Sequence, residues 1–318
     1  MDIRAGLSSG TKRVAARLIT MIENGSREAN EIIKEFYHMT GRARIIGITG
    51  PPGAGKSTVT DKLAKLVRKK GKKAAIIAVD PTSPFSGGAI LGDRIRMSDL
   101  NTDEGVFIRS MGTRGALGGL SKSVQGAIKV MDIAGYDYIF VETVGVGQSE
   151  IDIVKVADTV LMVMVPGLGD DIQAIKAGIM EIGDIFAVNK SDREGAERTA
   201  TEIEIMLDLN GMTGYRPPVK NIIARDNVGI EELFEAIEKH NEYMISSGNF
   251  SKRREKAIET EIFEIFKENL LGRIMKLQKS TDYLSDLILK VLNKEMDPYS
   301  AASELSNILN KEEGRMNG

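Results

Sequence analysis

The nine residues 50–58, GPPGAGKST, constrain this chain most, because they match the pattern G-x-x-x-x-G-K-[ST] in full. Glycines let successive backbone N–H groups face one anion, and the start of a following helix adds partial positive charge. Residues 44–49 before the loop form a short apolar run typical of a buried strand, and residues 57–70 after it carry apolar side chains at helical spacing. Strand, glycine loop and helix therefore occur in the order that a phosphate-binding loop (P-loop) requires.

This loop predicts a nucleoside triphosphate site. Lys56 is expected to reach the β- and γ-phosphates, and the Ser57 hydroxyl to bind Mg²⁺. The alternative is an ordinary strand-to-helix turn that is rich in glycine. The predicted nucleotide contacts of the loop are Gly50, Pro51, Pro52, Gly53, Ala54, Gly55, Lys56, Ser57 and Thr58.

Apolar strand-like runs alternate with helical patterns through the middle of the chain, which predicts an α/β fold: a P-loop NTPase with a mainly parallel, doubly wound sheet. Residues 10–39 are predicted as two short helices broken near Asn24 and Gly25. We therefore expect an N-terminal helical extension (1–42), a P-loop GTPase domain (43–248) and a C-terminal helical dimerisation extension (249–318). The further predicted strands are 74–79, 138–141, 159–165, 185–188 and 219–224.

Composition excludes several other functions. The charge of −2, from 43 basic and 45 acidic residues, gives no basic surplus for nucleic acid. The chain has no cysteine and only two histidines, His38 and His240, so a transition-metal site is not expected. No apolar run approaches the roughly 20 residues that span a bilayer. We expect a cytoplasmic protein that binds neither membrane nor nucleic acid.

The sequence Asn189-Lys190-Ser191-Asp192 follows a predicted strand and is typical of a guanine-reading loop. A carboxylate accepts two hydrogen bonds from the N1–H and 2-amino groups of guanine, whereas adenine offers neither donor, so Asp192 is predicted to select the base. Asn189 and Lys190 are expected to brace the phosphate loop and cover the ring. The predicted ligand is therefore GTP or GDP.

Residues 219–225 predict another strand and loop beside the base. A backbone N–H, that of Ala224, is expected to bind the guanine O6 atom, with Ile223 and Arg225 as its neighbours. Ile223 stands where GTPases usually carry serine, so only the backbone contact is expected. The alternative is a plain connecting loop.

Two acidic residues, Asp80 and Glu142, end predicted strands between the phosphate loop and the guanine reader. Mg²⁺ keeps several waters and takes few protein ligands, so a carboxylate at a strand end can hold it directly or through water. We predict Ser57, Asp80 and Glu142 as metal-site residues, with Asp93 as a further candidate. The N–H of Gly145 is expected to approach the γ-phosphate. For both strand-end acids, the alternative is a solvated strand terminus.

The C-terminal extension has apolar residues on more than one face of its predicted helix, among them Ile262, Phe263, Ile265 and Phe266. They predict either packing within the chain's own domain or a dimer interface.

The chain resembles one family, the MeaB/ArgK-type GTPases, which are associated with methylmalonyl-CoA mutase and include the methylmalonic aciduria type A protein. The resemblance extends from the N-terminal helices to about residue 310. It is carried by residues 80–85 (DPTSPF), 92–94 (GDR), 110–115 (SMGTRG), 142–150 (ETVGVGQSE) and 297–302 (DPYSAA).

The resemblance implies a Mg²⁺-dependent GTPase that is a chaperone of an adenosylcobalamin-dependent acyl-CoA mutase, gating cofactor loading and protecting the mutase. It also implies a homodimer to which the helical extensions contribute, and an additional switch at residues 166–176. Val146 stands where Ras-like GTPases place their water-positioning glutamine, so slow intrinsic turnover is expected until the partner orders Gln148, Lys176 or an arginine. The predicted catalytic residues are Lys56, Glu142, Gly145, Gln148 and Lys176.

Alternatives on the same core remain open. A nickel metallochaperone GTPase needs Cys and His ligands, whereas this chain has no cysteine and only two histidines, which are far apart in the sequence. An ATPase of the partitioning or targeting type usually has an extra lysine where Pro51 and Pro52 stand. A transport-associated P-loop NTPase and a scaffold that binds GTP without hydrolysing it are further alternatives.

Overall fold

The computed structural model describes residues 3–80, 98–112, 122–143, 149–167, 180–209, 214–276 and 278–306. The chain divides into two compact units, Met1–Ala257 and Ile258–Gly318. The three-part division expected from the sequence, with boundaries at 42/43 and 248/249, stays a prediction.

A single parallel sheet organises the first unit. Within the described residues its seven strands lie in the order β3-β2-β4-β1-β5-β6-β7, and every neighbouring pair is parallel. The predicted α/β fold with a parallel sheet is therefore confirmed. The strands are β1 Arg44–Thr49, β2 Ala74–Asp80, β3 Val106–Gly112, β4 Tyr138–Thr143, β5 Thr159–Met164, β6 Ile185–Asn189 and β7 Val219–Ile222.

The sequence interpretation missed β3, which forms one edge of this sheet. Four of its seven residues are only partly buried, and the strand lacks the continuous apolar run that marked the central strands. Its outer part is covered instead by the N-terminal helices, where Arg109 donates hydrogen bonds to Thr20 and Glu23. That contact joins residues almost ninety positions apart, which no local pattern reports.

Helices connect the strands and flank them. The predicted break between two N-terminal helices is confirmed, since one ends at Glu23 and the next begins at Arg27. The α-helices with both ends in the described residues are α1 Ile3–Ser8, α2 Lys12–Glu23, α3 Arg27–Phe36, α4 Lys56–Lys69, α5 Ser98–Asn101, α6 Lys122–Ile133, α7 Ser149–Asp152, α8 Ala196–Leu209, α9 Ile230–Ser246, α10 Asn249–Lys276 and α11 Gln278–Leu292. Residues 298–306 are also helical.

Two buried clusters cover the two faces of the sheet. Successive residues of β4 point to opposite faces, as a strand requires: Ile139 belongs to the cluster with α2, α3 and α6, and Phe140 to the cluster with α4 and α9. Both side chains are fully buried. Helices on both faces of a parallel sheet leave the carboxyl ends of the strands as the open edge, which is where such folds bind ligands.

The second unit contains most of α10 and all of α11. Several of its large apolar side chains are exposed in this unit, including Ile262, Phe263 and Phe266 at 60–63%. The alternative that these residues pack within their own domain therefore gains no support from the described residues.

Candidate nucleotide-binding site

The candidate site lies at the carboxyl edge of the sheet. The phosphate loop joins the end of β1 to α4, Glu142 lies near the end of β4, and the Asn189 loop follows β6. Because β4 and β6 lie on opposite sides of β1, with β5 between β1 and β6, these groups meet around the central strands. The sheet order thus brings together residues separated by more than 130 positions.

The loop backbone can be formed only by glycine at two positions. Gly50 has φ of 138°, and a Cβ atom there would lie 2.1 Å from the Val163 carbonyl oxygen. Gly55 has φ of 86°, and a Cβ atom there would lie 2.4 Å from Asn189 Nδ2. These close approaches explain the first and last glycines of the motif, because any side chain would displace the loop from β5 or from the Asn189 loop.

Lys56 is held against the same loop. Its Nζ atom donates to the carbonyl oxygens of Gly50 at 2.7 Å and Pro51 at 2.9 Å, and the residue is only 6% exposed. A buried ammonium group beside a loop of backbone N–H groups provides positive charge where phosphate oxygens are expected. The predicted position of Lys56 in the phosphate site agrees with this arrangement.

Ser57 and Glu142, which the sequence predicts as metal-site residues, are hydrogen-bonded to each other. Ser57 Oγ donates to Glu142 Oε1 at 2.6 Å, and Glu142 is 5% exposed. The sequence interpretation placed Glu142 at the end of its strand, but β4 continues by one residue to Thr143. The alternative interpretation, a solvated strand terminus, does not fit a carboxylate that is buried at this depth.

The donor set at this pair fits Mg²⁺. Hydroxyl and carboxylate oxygens are the hard ligands that Mg²⁺ takes, and one or two protein ligands suffice because the ion keeps its waters. Among the residues that the structure describes, no cluster of three or more His, Asp or Glu could hold a metal ion.

Asn189 joins the three loops of the site. Its Nδ2 atom donates to the Ala54 carbonyl at 2.8 Å, and its Oδ1 atom accepts from the Ala224 N–H at 3.0 Å. Lys190 Nζ also donates to the Gly53 carbonyl at 2.7 Å. Both residues therefore contact the phosphate loop, as a bracing role requires. Asn189 is 3% exposed, so its two hydrogen bonds are protected from water.

Asp192 lies at the rim of the site beside Arg225. The Arg225 Nη2 atom is 3.8 Å from Asp192 Oδ2 but 2.8 Å from Asp226 Oδ2, so Asp226 is its closer partner. Hydrogen bonding to Asp226, and its charge, raise the pKa of the Arg225 guanidinium above its ordinary value. The Asp192 carboxylate is 40% exposed and is open to a ligand that offers two N–H donors.

The backbone N–H of Ala224, which the sequence assigned to the guanine O6 atom, is used in this structure by Asn189. Binding of the base through that N–H requires the hydrogen bond to be shared or exchanged. Ile223 has no side-chain role here. Its N–H pairs with the Val228 carbonyl in a small bridge that shapes the loop.

The remaining predicted site residues have positions that the structure leaves undescribed. Asp80 is the last residue of β2, in register with Gly112, but its side chain lies outside the described part. The residues that lie wholly outside it are Asp93, Gly145, Gln148 and Lys176. Their roles stay predictions.

Sequence reasoning missed one residue of the site, Thr60. Its Oγ1 atom lies 2.9 Å from Glu142 Oε2, and the residue is fully buried. The available signal was its spacing, because Thr60 follows Ser57 by three positions and so lies on the same face of α4. No strand-end or motif rule points to it, since it stands outside the G-x-x-x-x-G-K-[ST] pattern.

No helix among the described residues has the length and apolar character to cross a membrane.

Comparison with known proteins places the chain among GTPases. The family model of methylmalonyl Co-A mutase-associated GTPase MeaB matches residues 15–279. Curated relatives include the GTPase ArgK of Escherichia coli, 31% identical over 95% of this chain and 94% of that protein. Another is the mouse mitochondrial methylmalonic aciduria type A homolog, 32% identical over 94% of this chain and 77% of that protein.

Two further matches cover almost the whole chain. A Pyrococcus abyssi protein, whose name gives it only as an inferred GTPase, is 54% identical over 93% of this chain and 92% of its own length. A crystal structure of an LAO/AO transport system kinase superposes with a TM-score of 0.71 at 26% identity, covering 97% of this chain and 96% of that one. With a family match over most of its length, the chain is a GTPase and belongs to the MeaB family of methylmalonyl Co-A mutase-associated GTPases.

Proposed function

We propose that this chain is a GTP-binding and GTP-hydrolysing chaperone of an adenosylcobalamin-dependent acyl-CoA mutase of the methylmalonyl-CoA mutase type. In this role it gates the loading of the mutase cofactor and protects the mutase. The family description and the name of the mouse relative support this partner. The ArgK relative supports the GTPase part alone.

One observation carries the nucleotide part of the proposal. The Asn189 side chain bridges the phosphate loop at Ala54 and the base-side loop at Ala224. A single buried amide therefore fixes the distance between the place for phosphates and the place for the base. This arrangement suits one ligand that has both parts, a nucleotide.

Selection of guanine is proposed for Asp192. Its carboxylate lies on the loop that Asn189 begins, and it can accept from two adjacent N–H groups of the base. Lys190 connects this loop to the phosphate loop by donating a hydrogen bond to the Gly53 carbonyl. Its backbone is in the left-handed region, with φ of 59°. GTP rather than ATP is the expected substrate.

Hydrolysis is proposed to depend on charge stabilisation at the phosphate loop. Bound Mg²⁺ would neutralise charge on the phosphate oxygens. In the protein, Ser57 and Glu142 provide the oxygen atoms to hold the ion, and Lys56 places a buried ammonium group on the loop. Gln148 and Lys176, outside the described residues, are the proposed groups that the partner orders. Turnover without the partner is therefore expected to be slow.

Single-turnover GTP hydrolysis, measured with and without the mutase that co-purifies from the source cell, tests this proposal. Slow hydrolysis by the chain alone and faster hydrolysis with the mutase are expected. An inactive Lys56→Ala variant, which removes the ammonium group, is the control for contaminating GTPases. Rapid hydrolysis that the mutase leaves unchanged contradicts the chaperone role. No turnover with any candidate mutase favours a scaffold that binds GTP without hydrolysing it.

A further inference from the structure

Two hydroxyl groups of α4 contact the carboxylate of Glu142, one on each oxygen. Ser57 Oγ lies 2.6 Å from Oε1, and Thr60 Oγ1 lies 2.9 Å from Oε2. Side chains three residues apart lie on the same face of a helix, so one turn of α4 presents both hydroxyls to β4. Ser57 belongs to the phosphate-loop motif, and Thr60 does not.

The Thr60 hydroxyl has one proton and two acceptors within reach. Its Oγ1 atom is 2.9 Å from the Lys56 carbonyl oxygen and 2.9 Å from Glu142 Oε2. The Lys56 carbonyl lies in the first turn of α4, where the backbone N–H four residues later is its regular partner. A carboxylate is the stronger acceptor, because a hydrogen bond to a charged group is shorter and stronger than one between neutral groups. The Thr60 hydroxyl is therefore expected to donate its proton to Glu142 Oε2 rather than to the Lys56 carbonyl.

Burial makes this contact matter. Thr60 is fully buried and Glu142 is 5% exposed, so solvent water has little access to replace the Thr60 hydroxyl as a hydrogen-bond donor. Removal of the Thr60 hydroxyl takes one donor from a buried carboxylate, which costs free energy and favours a turn of the side chain toward its other contacts. Any such turn would move the oxygen that faces Ser57.

We propose that Thr60 is a positioning residue, whose hydroxyl orients Glu142 and thereby sets the affinity of the nucleotide site for Mg²⁺. This inference rests on the proposed role of Glu142 in holding the ion. Thr60 itself does not touch the ion or the nucleotide in this proposal. It acts through the carboxylate alone.

Thr60→Val and Thr60→Ser separate the hydroxyl from the rest of the side chain. Thr60→Val keeps the volume and removes the hydroxyl, whereas Thr60→Ser keeps the hydroxyl and removes a methyl group. Glu142→Gln tests the proposed metal role directly. Thr199→Val is the matched control, because Thr199 is a buried threonine of α8, at 4% exposure.

The measurement is the Mg²⁺ concentration that gives half of the full rise in melting temperature of the GDP complex. The release rate of a fluorescent GDP analogue over the same Mg²⁺ series gives a second readout. Losing one hydrogen bond to a charged group is expected to raise the half-saturating Mg²⁺ concentration about tenfold in Thr60→Val. Thr60→Ser and Thr199→Val are expected to remain within about twofold of the unmodified chain on the same scale. The melting temperature without nucleotide reports whether each variant folds.

Three results would overturn the inference. If Glu142→Gln raises the half-saturating concentration while Thr60→Val does not, Thr60 is structural and the metal role of Glu142 survives. If Thr199→Val raises it as much as Thr60→Val, the effect is general to buried threonines. If Glu142→Gln leaves it unchanged, the metal role of Glu142 fails and the role of Thr60 fails with it. Should Thr60→Val not fold, Thr60→Ala removes the same hydroxyl and is measured against the same three outcomes.

Discussion

At the scale of single residues, the site contains side chains that are hydrogen-bonded across the loops and one carboxylate that is open to a ligand. Asn189, Lys190, Ser57 and Glu142 already have hydrogen-bond partners across the loops. Asp192 is different, because its nearest cation is 3.8 Å away and prefers Asp226. We therefore propose that its carboxylate serves base selection rather than loop structure, so that changing it should alter the choice of base without unfolding the site.

We predict that Asp192→Asn shifts binding from guanine to xanthine nucleotides. The amide presents a donor where the carboxylate presented an acceptor, so it matches the 2-oxo group of xanthine and opposes the 2-amino group of guanine. Loss of a charge-assisted pair is expected to weaken GDP binding about ten- to a hundredfold. Competition of GDP and XDP against a fluorescent nucleotide measures the shift.

Asp208→Asn is the matched control, since Asp208 is an exposed aspartate of α8 that pairs with Arg216 and makes no contact with the guanine-reading loop in the described residues. It should leave the preference for GDP unchanged. Equal loss of GDP and XDP binding in Asp192→Asn would contradict base reading by Asp192.

The buried His240 gives a prediction for pH. Burial lowers the pKa of His240 from its ordinary value of 6.5, the carboxylates of Asp184 and Asp158 oppose this, and the Arg253 cation adds to it. The unfolded chain then binds a proton at higher pH than the folded chain does. The free energy of unfolding should therefore increase with pH up to about 6.5 and lose this contribution as pH falls toward the folded pKa.

A proton NMR titration checks this directly, because the chain has only two histidines. The resonance that disappears in His240→Gln is assigned to His240, and the other to the exposed His38. We expect the His240 midpoint below 6.5. A midpoint above that value would mean that the Asp184 carboxylate outweighs burial.

At the scale of elements, the second turn of α10 binds the amino-terminal ends of the strands, opposite the candidate site. Arg254 donates to both oxygens of Asp158, at 2.8 Å each, and to the carbonyls of Gly41 and Ala43. Arg253 donates to Asp184 at 2.8 Å. These contacts lie where β1, β5 and β6 begin, and the same three strands lead to the phosphate loop, to residues 165–167 and to the Asn189 loop.

We predict that Arg254→Met destabilises the chain by about 3 kcal/mol, because it leaves the Asp158 carboxylate buried without its cation. Arg254→Lys should cost about 1–2 kcal/mol, since an ammonium group cannot form the same two-pronged contact. Urea unfolding measures both values. Arg198→Lys, in an exposed pair with Glu202, is the control and should change stability by less than about 0.5 kcal/mol. A loss in Arg254→Met as small as in the control would show that the pair is dispensable.

The sequence predicted those elements whose pattern is local. The phosphate loop, its flanking strand and helix, and the Asn189 loop each lie within a few residues of their own signal. Strand β3 was not predicted because it lacks a continuous apolar run. The Arg109 contacts that cover it and the Arg254–Asp158 pair join residues about ninety positions apart, which no local pattern reports. For Thr60 the helix was predicted correctly, but the partner on β4 depends on the packing of α4 against the sheet.

At the scale of the whole molecule, the first unit contains the candidate site, and the helices of the second unit carry exposed apolar side chains. Phe263 and Phe266 are 63% and 62% exposed on α10. Exposed aromatic side chains in a row of helical spacing are typical of an interaction surface. A second copy of the chain is our proposed partner.

We predict a homodimer with about twice the chain mass of 34.7 kDa. Multi-angle light scattering on the unmodified chain and on Phe263→Glu/Phe266→Glu measures this, because charges at the centre of an apolar interface disfavour association. Ile205→Glu is the control, since Ile205 is 53% exposed on α8 in the other unit. The double variant should be monomeric and the control dimeric. A monomeric unmodified chain at micromolar concentration would contradict the proposal.

The contacts of α10 with the amino-terminal ends of the strands also determine where the chain can be shortened. A chain cut at residue 248 would lack Arg253 and Arg254, leaving Asp184 and Asp158 without these cations beside the starts of three strands. A chain that ends at Ala257 would keep both arginines and omit the second unit. Residues 249–257, the first nine of α10, therefore support the strands that lead to the nucleotide site. Any shortened version of this enzyme must include them.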